Sequence, residues 1–109
     1  MKIIYLACPY NDPDPSVRLS RFHAANRAAG RIIERGDGVY SPISHSHPIA
    51  EDCGFGLGFQ AWRELDLEML LKCDSMAVLM LPGWLKSNGI QAELACAEDH
   101  SISVEFIEP

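Results

Sequence analysis

KIIYLAC, residues 2–8, is a short, nearly unbroken apolar run, and MAVLML, residues 76–81, is a second. Runs of this length without polar alternation are how strands buried on both faces of a parallel sheet look in sequence. Between them the pattern turns helical. Asp14 followed by Pro15 makes an N-cap and N1 pair. Leu19, Phe22, Ala25, Ala29 and Ile32 then recur at helical spacing, while Arg18, Arg21, Arg27 and Arg31 take other faces. Gly36 ends that helix, Asp37-Gly38 turns into a strand over residues 39–43, and a second helix covers about residues 59–73. A third helix begins near Ser87, and residues 103–107 form a last strand at an edge. The order βα, β, long loop, α, β, α, β predicts an α/β domain with a parallel sheet of about four strands, flanking helices and right-handed crossovers, in three layers.

Composition narrows the class. A chain of 109 residues, 48% of them hydrophobic, fits a single domain over residues 1–109 with a real core. No stretch approaches the roughly 18 uninterrupted apolar residues of a membrane span, and the N-terminal apolar run is too short for a signal-peptide core. Cys8, Cys53, Cys73 and Cys96 form no CxxC pair, which fits a reduced, cytoplasmic protein. The net charge of −6, with no basic stripe interleaved with aromatics, argues against nucleic acid as a partner.

Ligands on parallel sheets bind beyond the carboxyl ends of the strands. That rule selects the loop after Cys8, the Gly- and His-rich residues 42–58 and the loop 82–89. On the second helix Trp62, Leu65, Met69, Leu70 and Cys73 span about 140° of the wheel, and Asp66 falls inside that arc. On the third, Glu93 shares the stripe of Ile90, Leu94 and Ala97. A carboxylate on an apolar face is either bonded to a neighbouring N–H or Arg, or kept for chemistry that uses a perturbed pKa. Two carboxylates on helices flanking one strand suit glycosidic cleavage through an oxocarbenium-like transition state. Lys86-Ser87-Asn88-Gly89, opening a helix directly after a buried strand, reads either as an ordinary N-cap or as a phosphate cradle, with Ser16 and Arg18 on the same sheet edge. His45 and His47, with Asp52 and Cys53 nearby, match no compact metal spacing, so no metal or other cofactor is expected. The stretch 42–58 reads instead as a lid or binding loop, with a histidine meeting the ligand. Tyr10 and Trp84 lie near the expected cleft and are candidates to stack on a planar ligand, Trp84 equally a hydrophobic plug.

Three blocks carry a family likeness. YLACPY (5–10) supplies Tyr5 and Pro9, DLEMLLKCD (66–74) an Asp eight residues before a second Asp, and GIQAE (89–93) a Gly four residues before a Glu. With these the chain resembles the nucleoside 2-deoxyribosyltransferase superfamily, which includes 2'-deoxynucleoside 5'-monophosphate N-glycosidases. It is most similar to a short branch marked by LACPY, SHPI and LPGWxxSxGIxxE, present here as LACPY, SHPI and LPGWLKSNGIQAE. The resemblance implies a flavodoxin- or Rossmann-like domain. It implies Glu93 as nucleophile, Asp66 as functional acid, Asp74 as a strand lead-in and Tyr5 as the group orienting Glu93. Cys8 stands where the family has Gly. Ser87 stands six residues before the nucleophile, where transferases carry Asp and monophosphate glycosidases Ser. Substrate contacts are then expected from Cys8, Pro9, Tyr10, Arg18, His45, His47, Trp84, Lys86, Ser87 and Gly89. The expected activity is hydrolysis of a (deoxy)nucleoside 5'-monophosphate. The alternatives are base exchange by a deoxyribosyltransferase and a non-catalytic nucleotide-binding module. The partner is a small nucleoside or nucleotide, and a homodimer or larger homo-oligomer completes the site.

Overall fold

The computed structural model describes residues 1–56, 58 and 60–109. Strand β1 (Ile3–Ala7) leads through helix α1 (Pro15–Glu34) to β2 (Gly38–Tyr40), then α2 (Pro42–Cys53), α3 (Gln60–Lys72), β3 (Ser75–Leu79), a single 3-10 turn (Trp84–Lys86), α4 (Asn88–Asp99) and β4 (Val104–Ile107). The four strands form a wholly parallel sheet in the order β2-β1-β3-β4. This is the flavodoxin-like α/β arrangement, and its chain reverses direction across the sheet between β1 and β3.

Alternation along the central strands sorts the core into two faces. Ile4, Leu6, Cys8, Ala77 and Leu79 pack with Ala25, Ala28, Ala29 and Ile32 of α1 and Ile43 of α2. Tyr5, Ala7, Met76 and Val78 pack with Leu70 of α3 and Ile90 and Ala97 of α4. The alanines let α1 lie close to the sheet, so small side chains rather than Leu19 make its buried stripe; Leu19 is exposed. Asp74 ties β3 to β1 from both sides. Its backbone N–H donates to the Ile3 carbonyl at 2.8 Å, and its carboxylate accepts from the Ile3 N–H at 2.7 Å.

Residues 42–53 are a helix and not the expected loop. Pro42 occupies the first turn, where no intrahelical donor is needed, and Gly54 ends the helix in the left-handed conformation at φ 70°. Pro48 lies within it, yet the helix persists because Pro42, Ile43 and His47 are buried. Packing outweighs the cost of the missing donor. The strand expected over residues 39–43 is accordingly confined to Gly38–Tyr40. The second expected helix is Gln60–Lys72; its expected start at Phe59, and Leu57 in the loop before it, lie outside the described residues. No helix among the described residues is long and apolar enough to cross a membrane.

Candidate active site

Beyond the carboxyl ends of β1 and β3 lies a cleft of about 810 Å³. Glu93 forms part of its floor. Ile90 and Ala97 pin α4 to the sheet, so Glu93, three residues after Ile90, must face the same way. Beneath it, fully buried Tyr5 donates its hydroxyl proton to Glu93 Oε2. Burial is the main cause that pushes the Glu93 carboxyl up to about 8, with the Asp66 charge adding to it; the Tyr5 hydrogen bond and Arg63 act in the opposite direction. Burial, then the charges of Glu93 and Asp66, hold the Tyr5 phenol far above its usual range, so it remains a donor.

Asp66 reaches the same cleft from α3, whose Leu70 one turn further is wholly buried. Burial raises its carboxyl to about 6. The cleft therefore holds two carboxyls whose environments set them apart, Glu93 favouring its neutral form more strongly than Asp66.

The other end is built from the loop after β3. Gly83, at φ +92°, turns the chain into the 3-10 turn, which delivers Lys86 and Ser87 to the start of α4. Ser87 Oγ caps that helix, accepting from Ile90 N–H at 3.2 Å, and its own proton stays available to a ligand. Arg21 joins this loop to the one after β1. It donates to the carbonyls of Tyr10 (3.3 Å), Asn11 (3.1 Å) and Pro82 (3.4 Å). Arg18 donates to the Asp12 carbonyl at 2.6 Å. Four of the chain's nine Lys and Arg residues, Arg18, Arg21, Arg63 and Lys86, line the cleft, against three of its fifteen acids, Glu51, Asp66 and Glu93. An acidic chain thus concentrates cations where a small anion would sit.

Gly89 leaves space above the nucleophile candidate. A Cβ there would lie 3.8 Å from Ser87 Oγ and 4.0 Å from Glu93 Oε1, an ordinary contact for the fold but an obstruction to anything approaching the carboxylate. Gly89→Ala is expected to melt no lower than the parent protein, since Ala favours the helix by up to about 1 kcal/mol. For a ligand that reacts at Glu93, kcat/KM should fall about tenfold or more, because displacing a reacting group by an ångström is enough to do so. Unchanged turnover would mean that ligands do not approach Glu93 over Gly89.

Of the residues singled out in the sequence, Asp66, Glu93, Cys8, Pro9, Tyr10, Arg18, Lys86, Ser87 and Gly89 line the cleft, with Tyr5 below. Three are elsewhere. His47 is buried at 6% exposure between α2 and α1, stacked on Phe22. His45 is exposed and makes ring contacts with Tyr40 and Trp62. Trp84 packs against Phe106 and the core on the α3–α4 side, so it plugs that core. Cys8 directs its sulfur into the core on the α1 side, where burial pushes the thiol up to about 12 and leaves it without nucleophilic character. Among the described residues no three His, Cys, Asp or Glu side chains gather as a metal site.

Arg21, Arg63 and Trp62 were not among the expected site residues. Arg63 precedes Asp66 by three residues, so the helical wheel that exposed Asp66 also held the signal for Arg63. Trp62 lines the cleft as an aromatic wall, a role for which the sequence offered Tyr10 and Trp84 as candidates.

Residues 2–108 match the family described as Domain of unknown function (DUF1937). No curated protein matches the chain. Among solved structures the fold is similar to a 2-deoxyribosyltransferase from the psychrotolerant bacterium Bacillus psychrosaccharolyticus. The TM-score is 0.65 at 20% identity, over 98% of this chain and 72% of that one. At this identity the likeness is one of fold.

Proposed function

The chain belongs to the DUF1937 family, and from that premise we propose that it is a cytoplasmic N-glycosidase of (deoxy)nucleoside 5'-monophosphates. The observation that carries this reading is the Tyr5–Glu93 hydrogen bond on the floor of a cleft shared with Asp66.

Glu93 Oε attacks the anomeric carbon, the bond from that carbon to the base nitrogen breaks, and its electron pair leaves with the base. Asp66 supplies the proton the departing base takes up. A water molecule, deprotonated by the Asp66 carboxylate, then attacks the anomeric carbon, releasing the sugar phosphate and restoring the Glu93 carboxylate. Tyr5 fixes the carboxylate for attack, and Trp62 offers an aromatic wall to the base. The helix N-terminus at Ser87 to Gly89, together with Lys86 and Arg18, suits a phosphate dianion. An Asp in place of Ser87 would repel it. Membership of the LACPY branch and a homodimer or larger assembly belong to the same reading; a strict monomer with full activity in sedimentation would remove the assembly from it.

The fold likeness to a 2-deoxyribosyltransferase favours base exchange as a second reading. Both are tested by chromatography for free base after incubation with the ribo- and deoxynucleosides and their 5'-monophosphates. Release from monophosphates in water alone is the expected result. Release only with an added acceptor base would establish transfer, and thermal stabilisation by nucleotides without any release would establish a binding module.

A further inference from the structure

The SHPI segment places His47 outside the cleft, yet its ring is buried at 6% exposure and carries no part in the chemistry above. Its ring has two partners. Phe22 of α1 stacks on it, with centroids 4.4 Å apart and planes 25° from parallel. Its Nδ1 hydrogen-bonds the Tyr10 hydroxyl, and the two rings meet edge to face at 5.6 Å. Tyr10 does line the cleft, beside Arg18 and Glu51. Its backbone is tied by Arg21 to the Pro82 loop that delivers Lys86 and Ser87.

We infer that His47 is a positioning residue for the anion end of the cleft, acting through the Tyr10 hydroxyl that its Nδ1 holds in place. With the ring proton on Nε2, Nδ1 accepts from the Tyr10 O–H and turns the oxygen's lone pairs towards the neighbouring Arg18 guanidinium. Arg18 lies close enough to this hydroxyl to help hold down the proton affinity that burial raises. A chain from His47 through Tyr10 to Arg18 thus orients one cation in the cleft that Lys86 and Ser87 also line, pre-organised for phosphate. The inference rests on the monophosphate reading.

Two substitutions separate orientation from packing. His47→Phe keeps an aromatic ring against Phe22 and loses the acceptor. His47→Asn loses the ring and keeps an acceptor near the Nδ1 position. KM and kcat for the four deoxynucleoside 5'-monophosphates and the matching nucleosides are measured for both, for Tyr10→Phe and for the Phe/Phe double variant. The expected result is a KM for monophosphates about tenfold higher in His47→Phe and in Tyr10→Phe, with a much smaller change in kcat. The double variant should be no worse than either single one, and nucleosides should be far less affected. His47→Asn should retain most of the affinity. Wild-type KM in His47→Phe or Tyr10→Phe, additive losses, or an equal loss in His47→Asn would overturn the inference while leaving the hydrolase standing. A parent protein that neither cleaves nor binds any monophosphate would overturn both, and that outcome is visible before any variant is made.

Discussion

Glu93→Gln should lower base release by about a thousandfold or more and at the same time make the protein more stable at pH 8.5. The first effect follows from the proposed chemistry, since an amide oxygen cannot form and release the glycosyl ester. The second follows from burial. A carboxyl raised from 4.5 to about 8 in the folded state is favoured there in its neutral form. Its contribution is fully present below pH 4.5, declines as the pH rises through 8, and above that becomes the cost of a buried charge. That cost is at most about 5 kcal/mol from the distance between the two values, and the opening to the cleft reduces it to about 2. The variant carries no such charge and keeps an oxygen to accept from Tyr5. Its melting temperature should match the parent near pH 4 and exceed it by about 10 °C at pH 8.5. Scanning calorimetry across pH checks this. Equal melting at both ends would mean that water reaches Glu93 freely, and full turnover would remove it as the nucleophile.

Much of this site was legible because it lies on elements with strong patterns. Asp66 and Glu93 stood out as carboxylates inside apolar stripes, and Leu70, Ile90 and Ala97 do fix those stripes against the sheet. The strand expected at 2–8 lost one residue at each end, and that at 76–81 begins one residue earlier and ends two sooner, but both kept their places at the centre of the sheet. What could not be read was α2. Its residues, two prolines and four serines or histidines in sequence, followed by the capping Gly54, carry every local signal of a loop. Only the burial of Ile43 and His47 against α1 makes them helical, and that contact spans more than twenty residues of chain. The same blindness placed His45 and His47 at a ligand. Helical geometry sends the first outward and the second into the core. Arg21 was hidden for a related reason, since its reach to Tyr10, Asn11 and Pro82 depends on two loops meeting.

Asp66→Asn should change the shape of the pH profile as well as its height. The proposed reaction needs Glu93 ionised and Asp66 protonated, whereas the environments favour the reverse: about 8 for Glu93 and about 6 for Asp66. Below pH 6 the fraction with an ionised Glu93 grows with pH. Between 6 and 8 that gain is cancelled by loss of the Asp66 proton, and above 8 only the loss remains. The parent kcat/KM should therefore rise to about pH 6, stay level, and fall beyond about 8, with limbs belonging to the pair rather than to either residue. At the plateau the active protonation pattern is the minority one of the pair. Asn cannot titrate, so in the variant the alkaline limb disappears. The rise then continues towards the value of Glu93 alone, which lies somewhat below about 8 because the Asp66 charge no longer raises it. The height falls about a hundredfold or more with the loss of the proton donor. Neither Cys8 nor Tyr5 interferes, since both titrate well above this range. Initial rates from pH 5 to 9.5 distinguish the cases. An alkaline limb that survives in Asp66→Asn would assign the acid to another group in the cleft, and a rise that still levels off near pH 6 in the variant would assign that break to Glu93 and overturn the reversed protonation pattern.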